Sequence, residues 1–172
     1  MIPNEKYWLP EILQPEPKLS GKTKGVERFI GIYTNQERTS RNMPELRVDE
    51  ELATIAREHS IDMVDRSFFS HDNPSGEDPT ERANRNRYAS TKELGSGYFM
   101  TGIAENIGKM PTGNVEGIGY VADTPESIAK AHVDSWMESP GHRQNILDPR
   151  YDTLGVGVAF DGQFYVATQN FN

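Results

Sequence analysis

The C-terminal end of the chain constrains the fold most strongly, because its pattern specifies a pair of antiparallel strands. Two runs of alternating apolar character, 153–160 and 163–171, are separated by Asp161-Gly162, a dipeptide typical of tight hairpin turns. Gly155 and Gly157 leave one face of the first run without side chains, which suits close packing against a helix. The sequence therefore predicts a terminal β-hairpin that is covered by a helix.

Helical periodicity and capping residues predict the helices that precede this hairpin. Apolar residues recur at helical spacing from Val26 to about Arg38. Asp49 and Thr124 are predicted to cap two further helices, and Pro79 and Pro125 stand near the first positions of two helices. These signals predict helices from Asp49 to about Arg66, from Asp78-Pro79-Thr80-Glu81 onward, and from Thr124-Pro125 to about Met137. His59 and His132 fall on the apolar faces of two of these helices, where a hydrogen-bonded core histidine is the default interpretation.

Strand signals are sparse in the middle of the chain. Residues 104–108 predict the start of a short buried strand, whereas 88–100 and 110–119 carry many small and polar residues and are predicted to be loops. Helices, one short strand, another helix and a terminal antiparallel hairpin together indicate an α+β fold in which helices cover a small sheet.

Composition narrows the classes of function. The chain has no cysteine, which excludes disulfides, cysteine-ligated metals and thiol nucleophiles. With 26 acidic and 18 basic side chains, its formal charge of -8 opposes non-specific binding to nucleic acid or anionic lipid, so no nucleic-acid partner is expected. A local basic cluster is interpreted as a solvated face rather than a phosphate site; it contains Arg82, Arg85, Arg87 and Lys92.

The first 25 residues differ in character from the rest. Prolines at positions 3, 10, 15 and 17 suppress helix and central strand, so 1–25 is predicted to be a tail or linker and 26–172 the domain. No window is long and apolar enough to span a bilayer, and 1–25 lacks the charged start and apolar core of a signal peptide. We expect any export signal or lipid anchor to lie outside this sequence.

Three polar residues stand where local sequence gives them rigid support. His71 follows two aromatic residues, Glu105 lies at a strand start, and His142 follows Pro140-Gly141, which is predicted to end a helix. Glu81 is a weaker, fourth candidate for a site residue. Two imidazoles and a carboxylate form many open zinc sites, and imidazole–carboxylate pairs also act as acid/base couples. Local sequence does not bring these residues together, so a metal site, an acid/base couple and a structural network all stay open.

Several short motifs, taken in chain order, resemble the CAP superfamily. This family, also called the SCP domain, covers cysteine-rich secretory proteins, venom antigen 5 and plant pathogenesis-related proteins. The resemblance runs from about residue 26 to 171 and is that of a bacterial, cysteine-free member. The motifs are Asn35-x-x-Arg38, His59-Ser60-x-Asp62-Met63, Phe69-Ser70-His71, Ala104-Glu105-Asn106-Ile107, Trp136-Met137-x-Ser139-Pro140-Gly141-His142-Arg143-x-Asn145-Ile146 and Leu154-Gly155-Val156-Gly157.

The resemblance implies an α-β-α sandwich with a cleft lined by two histidines and two glutamates, which bind a divalent metal in some members. By motif, three of these residues are His71, Glu105 and His142. For the other glutamate, Glu81 is the best match and Glu93 the second. If a cation binds, the ligand chemistry favours zinc, held by His71, His142 and Glu105.

The resemblance also implies an extracellular or cell-surface protein and leaves three functions to compare. The first is a module whose cleft binds a small lipid, peptide or glycan. The second is a metal-dependent hydrolase in the same cleft, with Glu81 or Glu105 as the general base. The third is a hydrogen-bonded network without a ligand. The binding module is favoured, because no nucleophile in the sequence has a context that argues for its activation.

Overall fold

The computed structural model describes residues 18–172, so residues 1–17 of the tail predicted at 1–25 lie outside the described residues. The helices are α1 (Gly21–Thr39), α2 (Glu50–Asp65), α3 (Pro79–Arg85), α4 (Pro125–Glu138) and α5 (Pro140–Ile146). The strands are β1 (Arg47–Val48), β2 (Thr91–Gly95), β3 (Tyr98–Thr101), β4 (Ala104–Met110), β5 (Gly113–Val115), β6 (Gly119–Val121), β7 (Thr153–Phe160) and β8 (Tyr165–Phe171). Among helices of the described part, none is both long and apolar enough to cross a membrane.

Capping chemistry sets where the helices begin. Helix α1 starts at Gly21 rather than at Val26, because Ser20 and Thr23 exchange side-chain and backbone hydrogen bonds as a capping box. The predicted cap of α2 is confirmed, since the Asp49 side chain accepts a hydrogen bond from the Leu52 N–H. The predicted start of α3 is confirmed as well, with a second capping box at its first turn.

The main sheet has four strands in the order β1-β7-β8-β4. Strand β8 pairs antiparallel with both β7 and β4, while the two-residue edge strand β1 runs parallel to β7. The predicted hairpin is therefore confirmed, with a turn longer than two residues. Phe160 pairs with Tyr165, and the Asp161 carboxylate accepts the backbone N–H groups of Gln163 and Phe164 inside the turn.

Alternation along β7 explains why helices cover both faces of the sheet. Leu154, Val156 and Val158 belong to the main core cluster, which also contains residues of α1, α4 and α5. Gly155 and Gly157 point the other way, where an added Cβ would lie within 3 Å of the backbone of α2. Helix α3 packs on the α2 side through Ala83. The α+β fold and the α-β-α sandwich are confirmed.

Two loop predictions are wrong. Segment 88–100 contains β2 and joins β3 in an antiparallel hairpin, and Met110–Gly119 begins with the last residue of β4 and continues into the β5–β6 hairpin. Both hairpins are two-stranded and largely exposed. They lack a buried apolar face. Their sequences therefore lack the alternation of apolar and polar residues that indicates a half-buried strand.

Candidate functional site

A buried carboxylate, that of Glu105 on β4, organises the site. Its Oε1 lies 3.0 Å from Nδ1 of His71, and its Oε2 accepts a 2.6 Å hydrogen bond from Nη2 of Arg82. The Glu105 and Arg82 side chains are 1% and 2% exposed, respectively. An ionised carboxylate is this deeply buried only when it is paired, and here a guanidinium on one oxygen and an imidazole on the other provide the pairing.

Arg82 is the site residue that the sequence analysis missed, and its assignment to a solvated face is wrong. Beyond its bond to Glu105, its Nη1 donates to the backbone oxygens of His71 and Glu77 at 2.6 and 3.0 Å. One guanidinium thus fixes both the carboxylate and the backbone around His71. The sequence signal that could have indicated a buried Arg82 is the small apolar Ala83 next to it, since both residues are buried in α3. Arg85, on the same helix, is exposed.

His71 borders this buried pair with an imidazole that is 48% exposed. The hydrogen bond with Glu105 raises the pKa of His71 above its ordinary value of 6.5, against the opposing effect of partial burial. The carboxylate accepts, so Nδ1 carries the proton in this bond. The Nε2 edge of the ring is left to contact solvent or a ligand.

His142 lies on the first turn of α5 and not on irregular backbone as predicted, because Pro140 starts a new helix directly after α4 ends. Asn106 on β4 donates to the His142 backbone oxygen at 3.1 Å, and Asn145 donates to the Asn106 side chain at 2.9 Å. Burial lowers the pKa of His142, and the charge on His71 lowers it further. The two imidazoles therefore interact electrostatically, and amide side chains tie α5 to β4.

His59 and His132 are core histidines, as predicted. Nε2 of His59 lies 3.0 Å from the Ser70 carbonyl oxygen and 3.7 Å from Oε1 of Glu105, and burial lowers the pKa of His59. Nε2 of His132 lies 3.1 Å from the Tyr165 oxygen, and full burial lowers its pKa to about 4. His59 thus forms the inner wall behind Glu105, which the sequence pattern did not indicate.

The two candidates for a fourth residue lie elsewhere. Glu81 is exposed, and its carboxylate accepts a hydrogen bond from the backbone N–H of Asp78 in the capping box of α3. Glu93 is exposed on the β2–β3 hairpin, opposite Phe99. The structure therefore brings His71 and Glu105 into direct contact and places His142 close enough to interact electrostatically with His71, while Glu81 caps the start of α3.

The side-chain arrangement does not fit a three-ligand metal site. Within residues 18–172, no three histidine, aspartate or glutamate side chains are grouped so that they could hold a metal ion. Both oxygens of Glu105 are engaged, and the Arg82 guanidinium bound to one of them would repel a divalent cation. Zinc on His71, Glu105 and His142 stays a prediction that a titration must test.

The elevated pKa of His71 leads to a first testable result. We expect His71 to titrate above 6.5 in an NMR pH series, and Glu105→Gln to lower its pKa because the acceptor charge is lost. Since the folded-state value is raised, this pairing stabilises the fold fully below pH 6.5 and is lost as pH rises through the folded pKa. An unchanged His71 pKa in Glu105→Gln would contradict the assigned cause.

Comparisons with known proteins agree with this architecture. The family model for the cysteine-rich secretory protein family, CAP, matches residues 32–171. The uncharacterized protein YkwD of Bacillus subtilis is 35% identical over 145 residues, covering 84% of this chain and 46% of its own length. The uncharacterized membrane protein YlbC of the same organism is 31% identical over 175 residues, covering 98% and 42%.

A solved structure shows the same fold. The crystal structure of an extracellular protein containing an SCP domain from Bacillus anthracis superposes with a TM-score of 0.66 and 29% identity, covering 91% of this chain and 44% of that one. The chain thus spans less than half the length of each of these three proteins.

Proposed function

The chain belongs to the CAP family of cysteine-rich secretory proteins, and we propose that it is an extracytoplasmic module that binds a small organic ligand through His71 and His142. The ligand class that suits these side chains is a lipid, peptide or glycan with a carboxylate or carbonyl oxygen. Because Nδ1 of His71 already gives its proton to Glu105, the outer Nε2 donates to such an oxygen when the ring is charged.

One observation carries the proposal: Glu105, itself held by Arg82, binds the inner nitrogen Nδ1 of His71 and leaves the outer edge of the ring accessible. A ring oriented by a buried partner loses little conformational freedom when it binds, so it is pre-organised for recognition. The raised pKa of His71 favours its charged, donating form. His142 interacts electrostatically with His71 and lies on a helix that Asn106 and Asn145 fix in place.

The hydrolase hypothesis gains no support from this geometry. A general base needs a lone pair directed at the substrate, but the Glu105 oxygens are engaged by Arg82 and His71. The Glu81 carboxylate binds backbone at the start of α3. A surface location is favoured by the Bacillus anthracis structure, whose protein is described as extracellular.

The proposal is tested by ligand capture with matched variants. Immobilised wild-type protein, a His71→Ala/His142→Ala variant and Arg143→Ala are exposed to lipid and peptide extracts, and the eluates are compared by mass spectrometry. Arg143 is the control because it lies on the same short helix but lines a separate pocket with Pro140 and Gln144. We expect wild type and Arg143→Ala to retain the same compound, and the double variant to bind it about 10-fold to 100-fold more weakly.

Two outcomes would contradict the binding proposal. One is capture of the same compounds by the double variant as by wild type; the other is no compound retained by wild type. A parallel calorimetric titration of zinc into chelator-stripped protein addresses the metal hypothesis. Tight one-to-one binding that disappears in the double variant would favour a metal site over the organic ligand.

A further inference from the structure

A groove lies at the edge of the main sheet opposite to Glu105. It runs between α1 and α2 beside β1, and its volume is about 970 Å³. The apolar residues that line it are Leu19, Gly31, Ile32, Val48, Ala53 and Val156. Glu27 and Arg57 also line it and bind each other at 2.8 Å. Because neither His71 nor His142 lines it, the groove is separate from the histidine site.

Val48 and Leu19 leave apolar surface open in this groove. Their exposed fractions are 54% and 42%, respectively. The backbone N–H and C=O of Val48 point away from β7, since the N–H groups of Arg47 and Asp49 on either side of it donate to the neighbouring chain of β7. An apolar side chain at an open strand edge favours contact with an extended segment of chain.

Unpaired charges mark both ends of the groove. Lys24 and Arg28 lie on the first half of α1, while Glu45 and Glu50 flank β1 at the other end. Within residues 18–172, none of these four side chains forms an ion pair. A chain segment that fills the groove is therefore favoured when it carries acidic residues near the start of α1 and a basic residue near β1.

Lys18, the first described residue, lies at the start of the groove. Its carbonyl oxygen accepts a 3.0 Å hydrogen bond from the Phe160 N–H, and the next residue, Leu19, lines the groove. Counting back from Lys18, the sequence has side chains in the order that the groove favours: acidic Glu16 and Glu11, apolar Leu9 and Trp8, and basic Lys6. Glu5 is adjacent to Lys6, but neighbouring side chains of an extended chain point to opposite sides.

The length of this segment also matches the groove. The α1 wall from Lys24 to Gln36 is about 18 Å long, at roughly 1.5 Å per residue. An extended chain advances about 3.3 Å per residue, so Glu11 and Lys6 can be separated by about 17 Å. These two charges can therefore meet the two ends of the groove at once, with the apolar residues between them.

We propose that residues 5–16 dock in this groove as an extended segment of the same chain. Trp8 and Leu9 cover the apolar wall, Glu11 lies at the basic end and Lys6 lies at the acidic end. Burial of the Trp8 ring supplies most of the binding free energy, because aromatic side chains bury large areas and exposed ion pairs contribute little. The charges set the direction in which the segment lies.

The test is paramagnetic broadening of NMR signals in the full chain. The chain has no cysteine, so Asn4→Cys provides a single attachment site for a nitroxide spin label. We expect selective loss of the amide signals of Val48, Glu50 and Ala53, and their return when the label is reduced. Broadening centred elsewhere, including around Lys18, overturns the proposal, as does the absence of broadening.

Groove variants and a matched control locate the docking site. Val48→Glu places a like charge beside the acidic end and should abolish the selective loss; Val48 is exposed, so the fold should tolerate the change. Arg28→Glu, at the basic end, takes its place if that variant does not fold. Ile118→Glu is the control, since Ile118 is 43% exposed and does not line the groove, and it should leave the broadening unchanged.

Two further results would contradict docking within one chain. Broadening of the same signals in the groove variants as in wild type would show that the segment lies elsewhere. Mixing spin-labelled protein with isotope-labelled protein that lacks the spin label tests for a second copy. Loss of the same signals in that mixture would place the segment of another molecule in the groove.

Discussion

Replacing Arg82 with methionine is expected to lower the free energy of unfolding by about 3–5 kcal/mol. The substitution keeps an apolar stem of similar length but leaves the Glu105 carboxylate buried without its cation, 2.6 Å from where the guanidinium stood. It also removes two hydrogen bonds from Nη1, to the backbone oxygens of His71 and Glu77. Removing one member of a buried ion pair is far more damaging than losing an exposed pair, because the remaining charge has no solvent. Urea denaturation followed by circular dichroism measures the loss.

The same helix offers a matched control. Arg85 is exposed and binds the Glu77 carboxylate at the surface, so Arg85→Met should cost less than about 1 kcal/mol. Adding Glu105→Gln to Arg82→Met should recover part of the lost stability, since the unpaired charge is then gone. Equal effects of Arg82→Met and Arg85→Met, or no recovery in the double variant, would show that the buried pair is not what holds this part of the site.

Local signals predicted the framework because each rests on chemistry within a few residues. Asp49 caps α2 through the Leu52 N–H, and the capping box of α3 follows from the sequence of its first turn. The terminal hairpin was predictable because its buried strands are rich in apolar residues and flank an Asp-Gly turn. Such features need no knowledge of the tertiary structure.

Local sequence predicted the site less well than the framework. His71 and Glu105 are 34 positions apart in sequence, and their contact depends on how α3 and β4 pack, which only the family resemblance suggested. Arg82 was misassigned because charge alone favours the surface, and local sequence does not reveal a carboxylate arriving from another strand. The unpartnered Nδ1 of His59 is likewise a property of the packed structure.

The close approach of α2 to the sheet connects the fold to the histidine site. Helix α2 carries His59, whose Nε2 lies 3.7 Å from the Glu105 carboxylate. This approach depends on the bare face of β7. At Gly157 an added Cβ would lie 2.0 Å from the Arg57 backbone nitrogen, and at Gly155 it would lie 2.3 Å from the Leu52 carbonyl carbon. Both obstacles are backbone atoms, which cannot rotate away as a side chain can.

Gly157→Ala is therefore expected to destabilise the protein by at least about 3 kcal/mol, more than a typical overpacked core substitution, because α2 must move as a unit. Gly141→Ala is the matched control: the position is helical, and an added Cβ meets nothing within 4 Å. Alanine there should raise stability by about 0.5–1 kcal/mol through its helix propensity. Urea denaturation of both variants measures the difference. If Gly157→Ala were as stable as wild type, the contact of α2 with β7 would have to be looser than the structure shows, and the buried position of His59 would lose its main support.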